Sequence, residues 1–335
     1  MSFVPASDFV TTWTNRFGPR VRKTLSAYQF GNSESEAIVQ NSAVYKIAVP
    51  EFQAVEQDRD RGAGGALPDL TPLSADTASL SFIDVNRLDS KVIRHRLDDM
   101  DLADVSRSGI TLAAMESDMV ETGRRWIDQR LWAAYRAGVP SGNVTSMSDT
   151  AALGISRSTG KVQGGTSNQR SSAFEALYGF LYDLPLALAD QNIDPATGRG
   201  DTTTTLAAVM APGTFRFLAE GIRSDNDRIE PIVIEGIDRL GIRSSERWRG
   251  RLFDTIDLFV DTDVAFKAAS NGDDNSNVMV MQPNVTYDAA LRVGAIGYTP
   301  PQGTTRKHHF AQELQIWEHA VVPDRAWAMT VNTVA

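Results

Sequence analysis

The feature that most constrains this chain is one run of helical periodicity and punctuation across residues 98–138. Asp98, Asp99 and Asp101 open it, Arg136 stands near its end, Gly138 follows the last turn, and Pro140 lies just beyond. That is the order of charges and breakers that starts and stops a helix. Leu112, Met115, Met119, Trp126, Ile127, Leu131 and Ala134 recur at spacings near three and four, which predicts one apolar stripe. Glu121 and Arg125 form an i,i+4 pair on the wet side. A continuous helix of about 37 residues at 1.5 Å rise would reach roughly 55 Å, well past the usual three or four turns. Gly109 and Gly123 are the expected bends. Such a rod is a spine, and the other segments must be arranged around it.

The segments before the spine read as extensions. Residues 1–45 carry little periodicity and a basic cluster, Arg16, Arg20, Arg22 and Lys23, broken by Gly18-Pro19, so they read as an arm. Residues 46–97 begin at a β-like run, Val44 to Val49, closed by Pro50. A charged, Gly-rich tip (Glu56 to Gly65) and a Pro-punctuated return follow, then strand candidates Ala78–Val85 and Lys91–Leu97 separated by a turn at 86–90. A two-stranded excursion of this kind is marginal in water, so it is expected to lie on another surface, such as a second subunit.

Beyond the spine, residues 139–172 hold no aromatic side chain and are rich in Gly, Ser, Thr and Asn, which predicts a mobile loop or an arm ordered by a neighbour. A second helix is expected from Ala173, a strand at Leu206–Met210, and a short helix opened by Pro212-Gly213-Thr214. Strand-like runs at Ile232–Ile234, Leu252–Val260 and Val278–Met281 make 173–288 a mixed α/β unit. The tail, 289–335, contributes Ala289–Ile296, Leu314–Val322 and Ala326–Val331. These strands are expected to return to the spine helix, leaving 173–288 as an insertion.

Composition narrows the chemistry. The chain has 335 residues and no cysteine, which removes disulfide scaffolds, thiolate metal sites and Cys nucleophiles. Its net charge of −9 argues against tight wrapping of nucleic acid, whose binding rests on phosphate neutralisation. Of 33 basic residues only Lys23, Lys46, Lys91, Lys161, Lys267 and Lys307 are lysines. Arg is the better partner for bidentate carboxylate contacts at interfaces, although GC-rich coding produces the same bias. No signal peptide precedes the arm, and no apolar run approaches the ~20 residues that span a bilayer, so a soluble protein is expected.

Catalytic patterns are missing. Gly62-Ala63-Gly64-Gly65 lacks the ending of a phosphate-binding loop, and no serine sits in a nucleophile elbow. The four histidines, His95, His308, His309 and His319, show no metal-ligand spacing. Asp98, Asp99 and Asp101 could hold a cation, but capping the spine helix is the favoured reading. Arg199-Gly200-Asp201 reads as chance in so Arg- and Gly-rich a chain. No catalytic residue, metal or cofactor is expected.

The order of these parts resembles the major capsid proteins of tailed bacteriophages. The closest local likeness runs from Lys91 to Ala134: VIRHRLDDMDLADVS, then AAMESDMVETGRRWIDQRLWAAY, with Asp98, Asp99, Asp101, Asp104, Ile127, Asp128 and Leu131 at the matching places. LYDLPLALADQNID (Leu181–Asp194), VMAPGTFRFLAEG (Val209–Gly221) and LQIWEHAVVPDRAW near the end are similar to later segments of the same family. The resemblance implies an α+β, tailed-phage major capsid fold. Its parts would be an N-terminal arm (1–45), an extended β-hairpin loop (46–97) and a peripheral domain with a long spine helix (98–172, with 289–335 returning to it). An axial domain (173–288) would be inserted between them.

By the same resemblance, copies of one chain tile an icosahedral shell as pentamers and hexamers around packaged double-stranded DNA, assembled in the bacterial cytoplasm and ending in the virion capsid. The implied inter-subunit contacts are Arg16, Arg20, Arg22, Asp58, Arg59, Asp60 and Arg61, with Asp98, Asp101, Glu121, Arg125 and Trp126 on the spine helix. The loop tip, 56–66, has no Lys, so ionic contacts are expected there rather than the Lys–Asn crosslinks of some relatives. Met1 stands close to the arm, so a separate scaffolding protein is expected, together with a portal, possible decoration protein and no membrane. Encapsulin nanocompartments resemble the same fold and remain an alternative; a soluble α/β enzyme is the other.

Overall fold

The structure is a computed structural model that describes residues 17, 19–21, 25, 27–32, 44–51, 79–98, 110–146, 154–156, 162–163, 167–191, 205–224, 247–267, 274–299 and 307–334. Its centre is strand β6 (Leu206–Met210), all five of whose residues are buried. An unbroken apolar strand of this kind needs cover on both faces. Leu206, Ala208 and Met210 enter one cluster, and Ala207 and Val209 enter another on the opposite side. Three helices supply the cover. α1 (Ile110–Gly138) lies on one face, and α2 (Ser167–Gln191) and α3 (Pro212–Ser224) lie on the other.

β6 belongs to a nine-stranded sheet. Its other strands are β3 (Val144–Ser146), β4 (Gly154–Ser156), β5 (Val162–Gln163), β7 (Trp248–Leu252), β8 (Ile256–Val260), β9 (Ala265–Lys267), β10 (Asp274–Met281) and β13 (Ala326–Val334). The order is β5-β4-β13-β10-β6-β8-β7, with β3 on β13 and β9 on β10. A second sheet has the order β1-β2-β12-β11, formed by β1 (Val44–Glu51), β2 (Ser79–Asp98), β12 (Lys307–Ala320) and β11 (Tyr287–Thr299). Ile93, Phe310, Leu314 and Ile316 of this sheet share the α1 core with Ile127, Leu131, Trp132 and Tyr135. α1 therefore holds both sheets.

The two sheets meet at a knot around Thr286. Its buried hydroxyl lies 2.9 Å from the Gln282 carbonyl and 3.2 Å from the Arg325 carbonyl, one on each of the two short crossings between the sheets. The Thr286 carbonyl in turn accepts the amides of Val321 (2.9 Å) and Val322 (3.2 Å). Arg325 Nη1 donates to Gln282 Oε1 at 2.6 Å and closes the ring of contacts.

Several elements differ from the sequence expectation. α1 has 29 residues and starts at Ile110, so its length is about 44 Å at 1.5 Å per residue. Asp98 does not cap it: Asp98 is the last residue of β2 and pairs across from Lys307. Gly123 is no bend, because the helix runs through it. A Cβ there would stand 3.1 Å from Leu314 Cδ1 and 3.2 Å from Ile93 Cδ1, so the glycine sets how closely α1 approaches β2 and β12. The turn expected at 86–90 is strand instead. Residues 79–86 pair with β1 and 87–98 with β12, and the register slips by one residue at Leu88. The polar run is a β-bulge, where one extra residue is accommodated without leaving the sheet.

Other differences lie further along. The run Leu252–Val260 is not one strand: it holds the end of β7, a turn with positive φ at Phe253 and Asp254 (both 53°), and β8, which pairs antiparallel with β7. Within 139–172, expected as a loop, β3 and β4 pair in parallel with β13, and β5 with β4. The last strand joins the nine-stranded sheet, whereas β11 and β12 of the same tail join the sheet of β2. β13 pairs with β10 over Asn275–Met281, and Trp327, Met329 and Val331 enter the core under α2 and α3. Its alternate residues Ala326 and Ala328 enter the α1 core, so β13 meets the two-faced burial that the central sheet demands. The expected strand at Ile232–Ile234 lies outside the described residues.

Candidate assembly surfaces

Two features stand out among the described residues: a ribbon formed by β1 and the first half of β2, and an internal frame on α1 that ties down the segment around Ala27. The ribbon is β1 and the first half of β2, paired antiparallel from Val44↔Asn86 to Glu51↔Ser79. β1 has no second neighbour among the described strands. Eight paired residues extend about 26 Å at 3.3 Å per residue. Pro50 is tolerated because an edge strand does not need every amide in the ladder. At the base, Val85 is fixed against Ala290 and Trp317.

The internal frame is built on Arg124 and Asp128, one turn apart on α1. Arg124 Nη2 lies 2.8 Å from Glu121 Oε1, and Arg124 Nη1 lies 3.2 Å from Asp128 Oδ2 and 3.0 Å from Asp263 Oδ2. Asp128 is fully buried, and its other oxygen accepts the Ala27 amide of the arm at 2.9 Å. Beside it, Trp132 Nε1 donates to Asp261 Oδ2 (3.1 Å), and the Asp263 amide donates to Asp261 Oδ1 (2.9 Å). One guanidinium thus joins the spine helix to the turn after β8, and Asp128 adds the arm. The hydrogen bond from Arg124 holds the Glu121 carboxyl below its ordinary value. Burial, then the neighbouring Asp261, push Asp263 up, while the contact with Glu121 raises Arg124 further.

The arm continues the frame. Phe17, Val21, Leu25 and Ala27 are fully buried, and Phe30 meets Trp132 and Phe259 at 5.7 and 5.1 Å between ring centres. The Asn32 amide donates to the Tyr287 carbonyl (2.8 Å), and the Asn32 carbonyl accepts from Ala289 (2.9 Å). Near this strap, Tyr135 and Tyr287 stack at 4.3 Å, and the Tyr287 hydroxyl donates to the Tyr135 carbonyl at 2.7 Å. Burial raises the Glu318 carboxyl of the same region to about 7, and it lifts both tyrosines above their ordinary value.

The residues singled out in the sequence fall as follows. Arg16, Arg22, Asp58, Arg59, Asp60, Arg61 and Asp101 lie outside the described residues. Arg20 reaches Glu116 of its own α1 at 2.6 Å. Glu121 and Arg125 pair at 3.2 Å, and Lys91 stands 5.8 Å above the Trp126 ring. The sequence reading named Asp128 only as a place of the family resemblance, with no contact assigned to it, and missed Arg124, Asp261 and Asp263. Glu121, Arg124 and Asp128 at i, i+3 and i+7 do signal a shared helix face, but nothing in sequence ties that face to Asp263, 139 residues away from Arg124. No cluster of His, Asp or Glu suited to a metal occurs among the described residues, and no described helix is long and apolar enough to cross a membrane.

No family model and no curated protein matches the sequence. Solved structures do match by shape. The bacteriophage PhiM1 mature capsid aligns with a TM-score of 0.52 at 10% identity, over 93% of this chain and 88% of that one. A chain of Mycobacterium phage Che8 aligns at 0.47 with 16% identity, covering 91% of each. The SrpI encapsulin of Synechococcus elongatus PCC 7942 aligns at 0.47 with 7% identity, over 96% of this chain and 90% of that one. The PhiM1 likeness carries the assignment: this chain has the α+β fold of the tailed-phage major capsid proteins.

Proposed function

We propose that this chain is the repeating subunit of an icosahedral shell, a non-enzymatic structural role, and that the shell is a tailed-phage capsid enclosing double-stranded DNA. The observation that carries this reading is the β1–β2 ribbon on a body of capsid fold. A two-stranded ribbon in water is marginal, and a neighbouring subunit lying beneath it supplies the missing apolar cover. The −9 charge suits a wall that must enclose DNA without gripping it. With no Lys among residues 56–66 and no Cys anywhere, the contacts are non-covalent, and Arg16, Arg20, Arg22, Asp58, Arg59, Asp60 and Arg61 are their charged members. In this reading 46–97 is the extended loop and 173–288 the axial domain, and assembly draws on a scaffolding protein and a portal. Weak contacts of this kind add through symmetry.

The test is to express the chain, with and without phage scaffold, and image it by negative stain. Closed shells that acquire DNA together with portal protein support the reading. Shells that co-purify with an enzyme instead make the protein a compartment subunit, and a chain that stays monomeric under all these conditions refutes shell building. Charge reversal at Arg59 and Arg61 is expected to lower shell yield while the subunit's circular dichroism is unchanged. Normal, salt-insensitive shells from that variant would refute ionic sealing at the loop.

A further inference from the structure

One face of the four-stranded sheet packs on α1, and the other does not. Successive residues of a strand point to opposite faces, and Ile93, Leu314 and Leu291 are buried in the α1 core. Val92, Arg94 and Arg96 of β2, Glu313 of β12 and Arg292 of β11 therefore stand on the far face. Arg87, paired across from Trp317, and Lys307 share that face. All five cations are exposed, and none of their side chains makes an ion pair or hydrogen bond among the described residues. Glu313, the exposed carboxylate beside Val92, accepts from Gln315 Nε2 at 2.6 Å. In a chain of net charge −9 this face is a local surplus of positive charge.

Two apolar side chains interrupt it. Leu88, at the bulge, and Val92 are 41% and 46% exposed and lie between Arg87 and Arg94. β2 thus presents a cation, two apolar side chains and a second cation in succession. A phosphate backbone would use only the cations, whereas a peptide with a carboxylate at each end and apolar side chains between them uses all four groups. This chain contains such a stretch just before β2, outside the described residues: LPDLTPLSAD (67–76), with Asp69, Leu70, Leu73 and Asp76 and no Lys or Arg. At 3.1 Å per residue, the rise of the extended form that Pro68 and Pro72 favour, Asp69 and Asp76 are about 22 Å apart. Arg87 and Arg94 are about 20–23 Å apart along β2 and its bulge.

We propose that the Arg87–Arg94 face of β2 receives residues 67–76 of a neighbouring copy, with Asp69 and Asp76 against the two arginines and Leu70 and Leu73 over Leu88 and Val92. The same stretch of the same chain cannot serve. Counted back from Ser79, Asp69 reaches at most about 36 Å and Asp76 about 11 Å. Counted forward from Ser79, Arg87 lies about 26 Å and Arg94 about 50 Å along β2. Neither acid reaches Arg94, and Asp76 reaches neither arginine. The contact is therefore heterologous and propagates from copy to copy until rotation closes a ring. Arg96, Arg292 and Lys307 strengthen the field that draws the acidic stretch in. This inference rests on the shell reading and deepens it by naming the surface on which the segment at the end of the ribbon lies.

A chain without cysteine makes the test direct. One chain carries Ser74→Cys; a second carries Ser90→Cys, at the position across from Gln315 on the cationic face. The two are co-assembled and treated with a short bismaleimide linker. The expected result is a cross-linked dimer from the mixture and none from either chain alone, while a chain with both substitutions gives a ladder that runs past dimer. An internally linked monomer without a ladder places the stretch on its own sheet and overturns the proposal. Shells that form normally yet give no cross-link also overturn it, and leave the shell reading standing. A chain that assembles under no condition overturns both. As a second measurement, Arg87→Glu with Arg94→Glu, and Asp69→Arg with Asp76→Arg, are each expected to lower shell yield roughly tenfold at unchanged circular dichroism, with partial recovery when all four are combined. Normal assembly by both charge-reversed chains refutes the ionic match. If the unassembled subunit binds a short DNA duplex, and the arginine reversal abolishes that binding while shells form normally, the face serves nucleic acid and the proposal is overturned.

Discussion

Replacing Asp128 by Ala should release the arm from the subunit. Asp128 is fully buried and accepts from two donors, Arg124 Nη1 at 3.2 Å and the Ala27 amide at 2.9 Å. Removing one partner of a buried ion pair costs about 3–5 kcal/mol where the other charge is left uncompensated. Here Arg124 keeps Glu121 and Asp263, so the lower end of that range applies to the pair. The Ala27 amide has no such substitute in view, and a stranded buried donor adds about 1–3 kcal/mol. The expected loss is about 4 kcal/mol for Asp128→Ala. Asp128→Asn keeps an acceptor for Ala27 and should lose about 2 kcal/mol. Urea unfolding of the unassembled subunit measures both, and hydrogen exchange of the peptide containing residues 27–32 reports the arm. If Asp128→Ala loses less than about 1 kcal/mol and amide protection at 27–32 is unchanged, the frame is not what holds the arm.

Further expectations can be checked alongside. Glu318 is protonated more readily in the folded chain, with its value raised from 4.5 to about 7, so its contribution is fully present below pH 4.5 and is lost as pH rises to 7. Glu318→Gln should therefore stabilise the subunit at pH 8 by about 2 kcal/mol and change nothing near pH 4, as read from paired urea titrations. Gly179 has open space around a would-be Cβ, and Gly179→Ala in mid-helix should raise stability by about 0.5–1 kcal/mol. In Gly221→Ala the new methyl would overlap the Phe174 ring, and a loss of about 2 kcal/mol is expected by the same assay. Thr286→Val keeps the shape of the knot but withdraws its donor from Gln282 and Arg325, with an expected loss of about 1–2 kcal/mol in thermal unfolding.

The parts of the fold legible in the sequence are those dictated by local pattern. The apolar stripe on α1 and the unbroken run of β6 are both of this kind, and Pro212 at the first position of α3 is another. Where long-range pairing decides the outcome, local pattern misleads. Asn86 to Ser90 has turn chemistry, yet β1 on one side and β12 on the other hold it extended, and only the slip at Leu88 betrays the extra residue. The β7–β8 turn was hidden for the opposite reason. Phe253 is a poor residue for positive φ, and its conformation is supported by Tyr178 and Tyr182, ring contacts from a helix about 70 residues earlier. The partner of β13 could not be read at all, since its alternating residues suit either sheet. As for the assembly surfaces, the ribbon was visible as a hairpin pattern. The frame was not, because the resemblance marked Asp128 without a partner, and Asp261 and Asp263 look in sequence like ordinary solvated acids.

The Thr286 knot has a mechanical consequence. A closed shell asks identical subunits to sit at slightly different angles, and something in each subunit or between subunits has to yield. The two crossings between the sheets are tied to each other by side chain and backbone at Thr286, Gln282 and Arg325, and α1 spans both sheets as a brace. The subunit body then behaves as a rigid tile. In the shell proposed above, differences in curvature would then fall on the β1–β2 ribbon, which among the described strands joins the body through β2 alone, and the shell would flex at its seams and not through its tiles.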